Sequence, residues 1–222
     1  MFIRSLRRFR GGDHVRESGG HDICAVSNRD SDHRRTNGNR RDRNRSFAVG
    51  SANDIPVSFT APADWTVIDG WSAYKDAGSA GVLFDSITNI YAEGCQWVLV
   101  DPPVGPTVDD LATAWANVAN FAATTAVDVT VDGYAGKQFE FTAPDYTASE
   151  CRETKYGLWD VPGTGGGDKP PGYWAQLPNQ HLQMWVLDVD GTRLVIGAST
   201  SPGTSPQDRA ALEELVASIQ IG

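Results

Sequence analysis

Side chains able to do covalent or acid–base chemistry are sparse beyond residue 46 and poorly spaced for it. A hydrolytic triad needs a histidine base beside its nucleophile. Residues 47–222 hold one histidine, His181, and no G-x-S-x-G elbow that would present a serine to it, so His181 reads as a surface histidine at the start of a strand. Zinc needs three or four Cys, His or carboxylate ligands at organised spacing, and His181 with the distant Cys95 and Cys151 does not supply them. The run DVDG from Asp188 to Gly191 opens like a calcium loop. It lacks the later ligand positions and the exiting helix, and reads as a hairpin turn. The glycines and lysine of DVPGTGGGDKPPG, from Asp160 to Gly172, suggest a phosphate loop, but G-x-x-x-x-G-K-[ST] is not matched and Pro170-Pro171 stand where its helix should begin. Asp109-Asp110 sit at a helix start, where capping accounts for them. These spacings point to no catalytic residue, no metal and no cofactor, and the chain reads as a non-enzyme.

The elements that carry these residues are mostly strands. Ile55, Val57 and Phe59 alternate, Asp69-Gly70 turns between two short aromatic runs, and two strands follow over about 81–91 and 95–100, bent at Glu93-Gly94. Thr107 caps a helix with Asp110 three residues on, and Val108, Leu111, Trp115, Val118 and Ala122 form its apolar stripe. Val127, Val129 and Val131 pair with the Phe139 and Phe141 strand around a turn between Gly133 and Gly136, and a second hairpin turns at Asp190-Gly191. Ser205, Pro206 and Asp208 start a terminal helix whose face is Leu212, Leu215, Val216 and Ile219. Hairpins impose antiparallel pairing, so the expected fold is α+β, an antiparallel sheet with two amphipathic helices packed on it.

Charge divides the chain in two. Residues 1–46 hold twelve arginines, no lysine and six acids, a net of +6, which leaves seven basic and twenty-two acidic residues, a net of −15, for residues 47–222. The first part lacks the apolar content to fold, so residues 1–50 read as a basic disordered arm or a non-native leader, and 51–222 as one domain. An acidic body of this size repels nucleic acid and anionic lipid. A nucleic-acid role would have to run through the arm. The start MFIRSLRRFR has the positive charge of an export signal, but no apolar h-region follows, and no eighteen-residue apolar run occurs.

Taken together, TNIYAEGCQW, VGPTVDDLATAW, DVTVDGYAGKQFEFTAP, MWVLDVDGTRLVIGAST and PGTSPQDRAALEELVASIQI resemble an uncharacterised extracytoplasmic domain of actinobacterial membrane-anchored and secreted proteins, with a PsbP-like α/β/α sandwich. The resemblance covers residues 55–221. It implies a cell-envelope location, a membrane association only through an anchor that this sequence does not show, and relatives that bind or assemble rather than catalyse. It brings no catalytic residues. The Arg-rich arm stands where such proteins carry a membrane segment or lipoprotein leader.

Cys95 and Cys151 are the only cysteines after Cys24. A bridge between them is the expectation, with two reduced thiols in a cytosolic protein as the alternative. Tyr156, Trp159, Tyr173 and Trp174 flank the glycine-rich segment, and amphipathic aromatics beside an irregular loop suit recognition. The reading is therefore a monomeric envelope domain that binds a protein or small molecule there, at the edge of the largest concave surface. A nucleic-acid-associated protein working through the arm comes second, and an enzyme with an unrecognised site third.

Overall fold

Alternating apolar side chains, punctuated by turn residues, build the sheets of a computed structural model that describes residues 45–52, 54–68, 72–167 and 169–222, the side chains of 45–52 and 77 excepted. In chain order the elements are β1 (Arg45–Ala52), β2 (Ile55–Ala61), β3 (Thr66–Ile68), β4 (Ser72–Lys75), β5 (Ala80–Asp85), β6 (Asn89–Glu93), β7 (Val98–Leu99), α1 (Val108–Asn117), β8 (Val127–Val131), β9 (Tyr134–Thr142), β10 (Tyr156–Asp160), β11 (Tyr173–Ala175), β12 (His181–Val189), β13 (Thr192–Thr200), α2 (Pro206–Ala217) and β14 (Gln220–Ile221). All strand pairs are antiparallel. The class is α+β, as expected.

A seven-stranded sheet runs β3-β4-β5-β13-β12-β9-β8, beside a four-stranded sheet β11-β10-β6-β7 and a three-stranded sheet β1-β2-β14. Successive side chains of a strand point to opposite faces, and β12 shows how that makes two cores. Leu182, Met184 and Val186 pack with Leu111 and Trp115 of α1 and with Leu158 and Trp159 of β10. Leu187 and Val189 pack with Leu212 and Leu215 of α2 and with Val57 and Phe59 of β2. Each helix therefore covers its own face of the large sheet.

Both helices begin where their caps place them. Thr107 accepts from the Asp110 amide while the Asp110 carboxylate accepts from the Thr107 amide, a complete capping box, and Ser205 accepts from the Asp208 amide ahead of Pro206. α1 stops at Asn117 rather than reaching Ala122, which takes a left-handed φ of 44° and lies exposed. Its stripe is thus Val108, Leu111 and Trp115, with Val118 buried just beyond.

Several expectations need correcting. The run expected as one strand over 81–91 is two strands in two sheets, because the chain leaves the large sheet after Asp85 and re-enters beside β10 at Asn89. The turn of the first hairpin is Asp132-Gly133, with φ of 48° and 87°, and Gly136 lies inside β9. Gly136 is a glycine because a Cβ there would stand 2.1 Å from the Val186 carbonyl oxygen. The described part of the chain begins with β1 at Arg45. The arm itself, up to residue 44, lies outside the described residues.

Candidate functional site

The glycine-rich segment 161–172 is a loop between β10 and β11, and a buried carboxylate anchors it. Asp160 is 3% exposed, and its Oδ1 accepts from the Tyr91 hydroxyl at 2.6 Å and from the Gly172 amide at 3.3 Å. Burial raises the pKa of both partners, and the hydrogen bond from Tyr91 opposes the rise at Asp160. Gly165, at φ 65°, lies against the same carboxylate, so close that a Cβ would overlap Oδ2. No side chain fits there. Thr164 Oγ1 donates to the Val161 carbonyl and Arg152 Nη1 donates to the Gly167 carbonyl at 2.9 Å, which closes the loop on itself and ties it to the segment after Cys151.

The four aromatics expected as binding anchors flank this loop, yet three of them point inward. Trp159 is completely buried, Tyr156 is 4% exposed and Tyr173 is 9% exposed. Each is packing first: Trp159 stacks on Tyr173 at 4.4 Å and meets Trp115 edge-on, and Tyr156 stacks on Tyr146. Only Trp174 keeps a partly exposed ring, with Lys155 Nζ 4.7 Å from its centre. Side chains alternate along β11, so one neighbour of each pair faces the core while the other faces outward.

A cleft of about 510 Å³ opens where β11 approaches the β4 and β5 end of the large sheet. Register explains its floor. Ser72 is paired with Leu83, Tyr74 with Gly81, and Gly81 with Ser199, so these side chains share one face. Gly81 leaves a gap between Tyr74 and Ser199. Tyr173, Trp174 and Gln176 form the opposite wall. A larger hollow of about 800 Å³ lies elsewhere, among Phe59, Asp132, Trp185 and Ser218. The expectation that the glycine-rich loop edges the largest concave surface therefore fails; its end at Gly172 edges the smaller cleft.

The wall of the cleft is braced from behind. Trp159 Nε1 donates to Asp85 Oδ2 at 2.7 Å, and Trp159 in turn supports the Tyr173 ring. Burial raises the Asp85 carboxyl from its ordinary 3.8 to about 6, against the pull of that hydrogen bond, and pushes the Tyr173 phenol up to about 12. Sequence reasoning passed over Ser72, Tyr74, Gly81, Gln176 and Ser199. The available signal was small and polar residues alternating with apolar ones in SAYK and AGVLFD, on strands whose other face is core.

Cys95 and Cys151 are joined in a disulfide, with Cα atoms 4.2 Å apart. Tyr91 and Trp97 on either side of Cys95 are buried packing residues, and Trp97 carries the Arg152 guanidinium over its ring at 4.7 Å. His181 pairs with Glu140 at 3.4 Å, with its side chain 44% exposed. Among the described residues no three His, Cys, Asp or Glu side chains gather as a metal site, and no helix is long and apolar enough to cross a membrane. The chain matches no protein-family model and no curated protein.

Proposed function

We propose that the chain is a non-catalytic, extracytoplasmic binding domain of the PsbP-like kind, and that the cleft between β11 and the β4–β5 end of the large sheet is where it takes its ligand. The observation that carries this reading is the cleft itself: a concave, mainly apolar space of about 510 Å³ with a few hydroxyls and one amide, within the size range of small-molecule sites. The disulfide suits an oxidising compartment outside the cytosol, since cytosolic thiols are kept reduced. The sequence resemblance supports the same location and class. The nucleic-acid alternative depends on the arm, outside the described residues.

The test is an indole-resolved NMR titration of the labelled chain with fractionated cell-envelope extract. Saturable shifts at Trp174 with Trp185 unmoved, and recovery of the bound compound unchanged, support the reading. Turnover of the compound refutes the non-catalytic part. Shifts confined to Trp185 move the site to the other hollow.

A further inference from the structure

We infer that the ligand of this cleft is a neutral amphiphile, a hydrocarbon or aryl body bearing a hydroxyl or carbonyl, and this rests on the cleft being the binding site as proposed above. None of the described residues lining the cleft is charged. Its walls are Tyr74, Leu83, Tyr173 and Trp174, and among its lining side chains Ser72, Ser199 and the Gln176 amide are polar and uncharged.

A charged group carried into such a space gives up its hydration and meets no counter-ion among the lining side chains; the Lys155 ammonium sits against the Trp174 ring and is not one of them. For an anion the penalty is compounded by the body, whose residues 47–222 carry a net of −15. A cation fares no better inside, because the carboxylate nearest the wall, Asp85, is engaged by the Trp159 indole and lies behind the Tyr173 ring. The apolar walls favour methylene or ring surface. Ser72 and Ser199 are themselves buried, 6% and 5% exposed, and a hydroxyl both donates and accepts. Ser199 already shares its hydroxyl with the Tyr173 phenol, so a ligand hydroxyl or carbonyl joins an existing pair there or meets Ser72 at the other end, whereas a pure hydrocarbon faces both with apolar surface.

The two serines also set a scale. They lie on strands two apart in the sheet, on either side of β5, and Ser72 is level with Leu83 while Ser199 is level with Gly81, so two strand spacings and a two-residue offset separate them by about 12 Å. A ligand with its polar group at one end reaches one serine and lays its body over Gly81 toward the other. The absence of a Cβ at Gly81 is what leaves that path open; one there would already press on the Ala73 carbonyl at 3.1 Å and the Tyr74 Cβ at 3.2 Å.

The test uses the full chain and the uncharged fluorophore N-phenyl-1-naphthylamine as reporter. It is displaced by 1-decanol, decanoate and decylamine at neutral pH, three head groups on one chain. The alcohol is expected to displace the dye at concentrations about tenfold or more below either ion. Trp174→Ala and Tyr74→Ala should each weaken dye binding severalfold, while Trp185→Ala, in the other hollow, should not. Equal or better displacement by decanoate or decylamine, lost in Trp174→Ala, overturns the neutral class and leaves the cleft standing. Dye binding untouched by both Trp174→Ala and Tyr74→Ala overturns the cleft as the site. Failure of the dye to bind at all overturns the inference.

Discussion

Asp85 accepts a hydrogen bond from Trp159 while burial holds its carboxyl near pKa 6. Its folded value lies above its unfolded value, so the folded state holds the proton more tightly. The stability this contributes is complete below about pH 4 and is lost as the pH rises to about 6, at a cost of about 2–3 kcal/mol at neutral pH. Asp85→Asn keeps an acceptor for the indole without the charge. Urea denaturation should therefore show the variant more stable than the parent at pH 7.5 by up to about 2 kcal/mol, with the difference shrinking toward pH 4. A parent curve with no such convergence would mean that Asp85 titrates normally. Asp160 depends on its donor in the same way: Tyr91→Phe removes its 2.6 Å hydrogen bond and leaves the Gly172 amide. The expected loss is about 1–3 kcal/mol, together with faster proteolytic cleavage within 161–172, where the loop loses its anchor.

Among the elements, the disulfide decides how the four-stranded sheet is held to its flanking segments. It joins residues 56 apart, from just after β6 to the 3-10 turns before β10, and β6 and β10 pair directly through Ile90 and Trp159. The Cys95 carbonyl also accepts from the Arg152 amide, at 2.9 Å. Closing a loop of that length is worth about 4 kcal/mol on the chain-entropy account. Cys95→Ala/Cys151→Ala should lose about that much in chemical denaturation. Adding a reductant should bring the parent to the same midpoint and leave the double variant unmoved. A parent insensitive to reductant would show that the bridge adds nothing in solution.

For the whole molecule, β1 covers one edge of β2. A chain lacking residues 1–40 should melt within about 2 °C of the full chain, whereas one lacking residues 1–53 should melt several degrees lower, because β2 then loses a strand partner along its length. Equal melting of all three would place β1 outside the cooperative unit. Much of this architecture was legible from residue patterns alone, where the determinant is local. Thr107 with Asp110, and Ser205 with Pro206 and Asp208, started the helices because caps satisfy amides a few residues away. Asp190-Gly191 set the second hairpin because its φ angles belong to those residue types. The Cys95–Cys151 bridge followed from there being no other cysteine in the body to pair. Three things depended on contacts between distant segments, which periodicity does not encode. One is the division of 81–91 between two sheets, where an apolar run suits either sheet equally. Another is the inward turn of Tyr156, Trp159 and Tyr173, since an aromatic beside a loop is written the same way whether it packs or projects. The third is the cleft, which exists only because antiparallel register brings Ser72, Tyr74, Gly81 and Ser199 onto one face beneath β11.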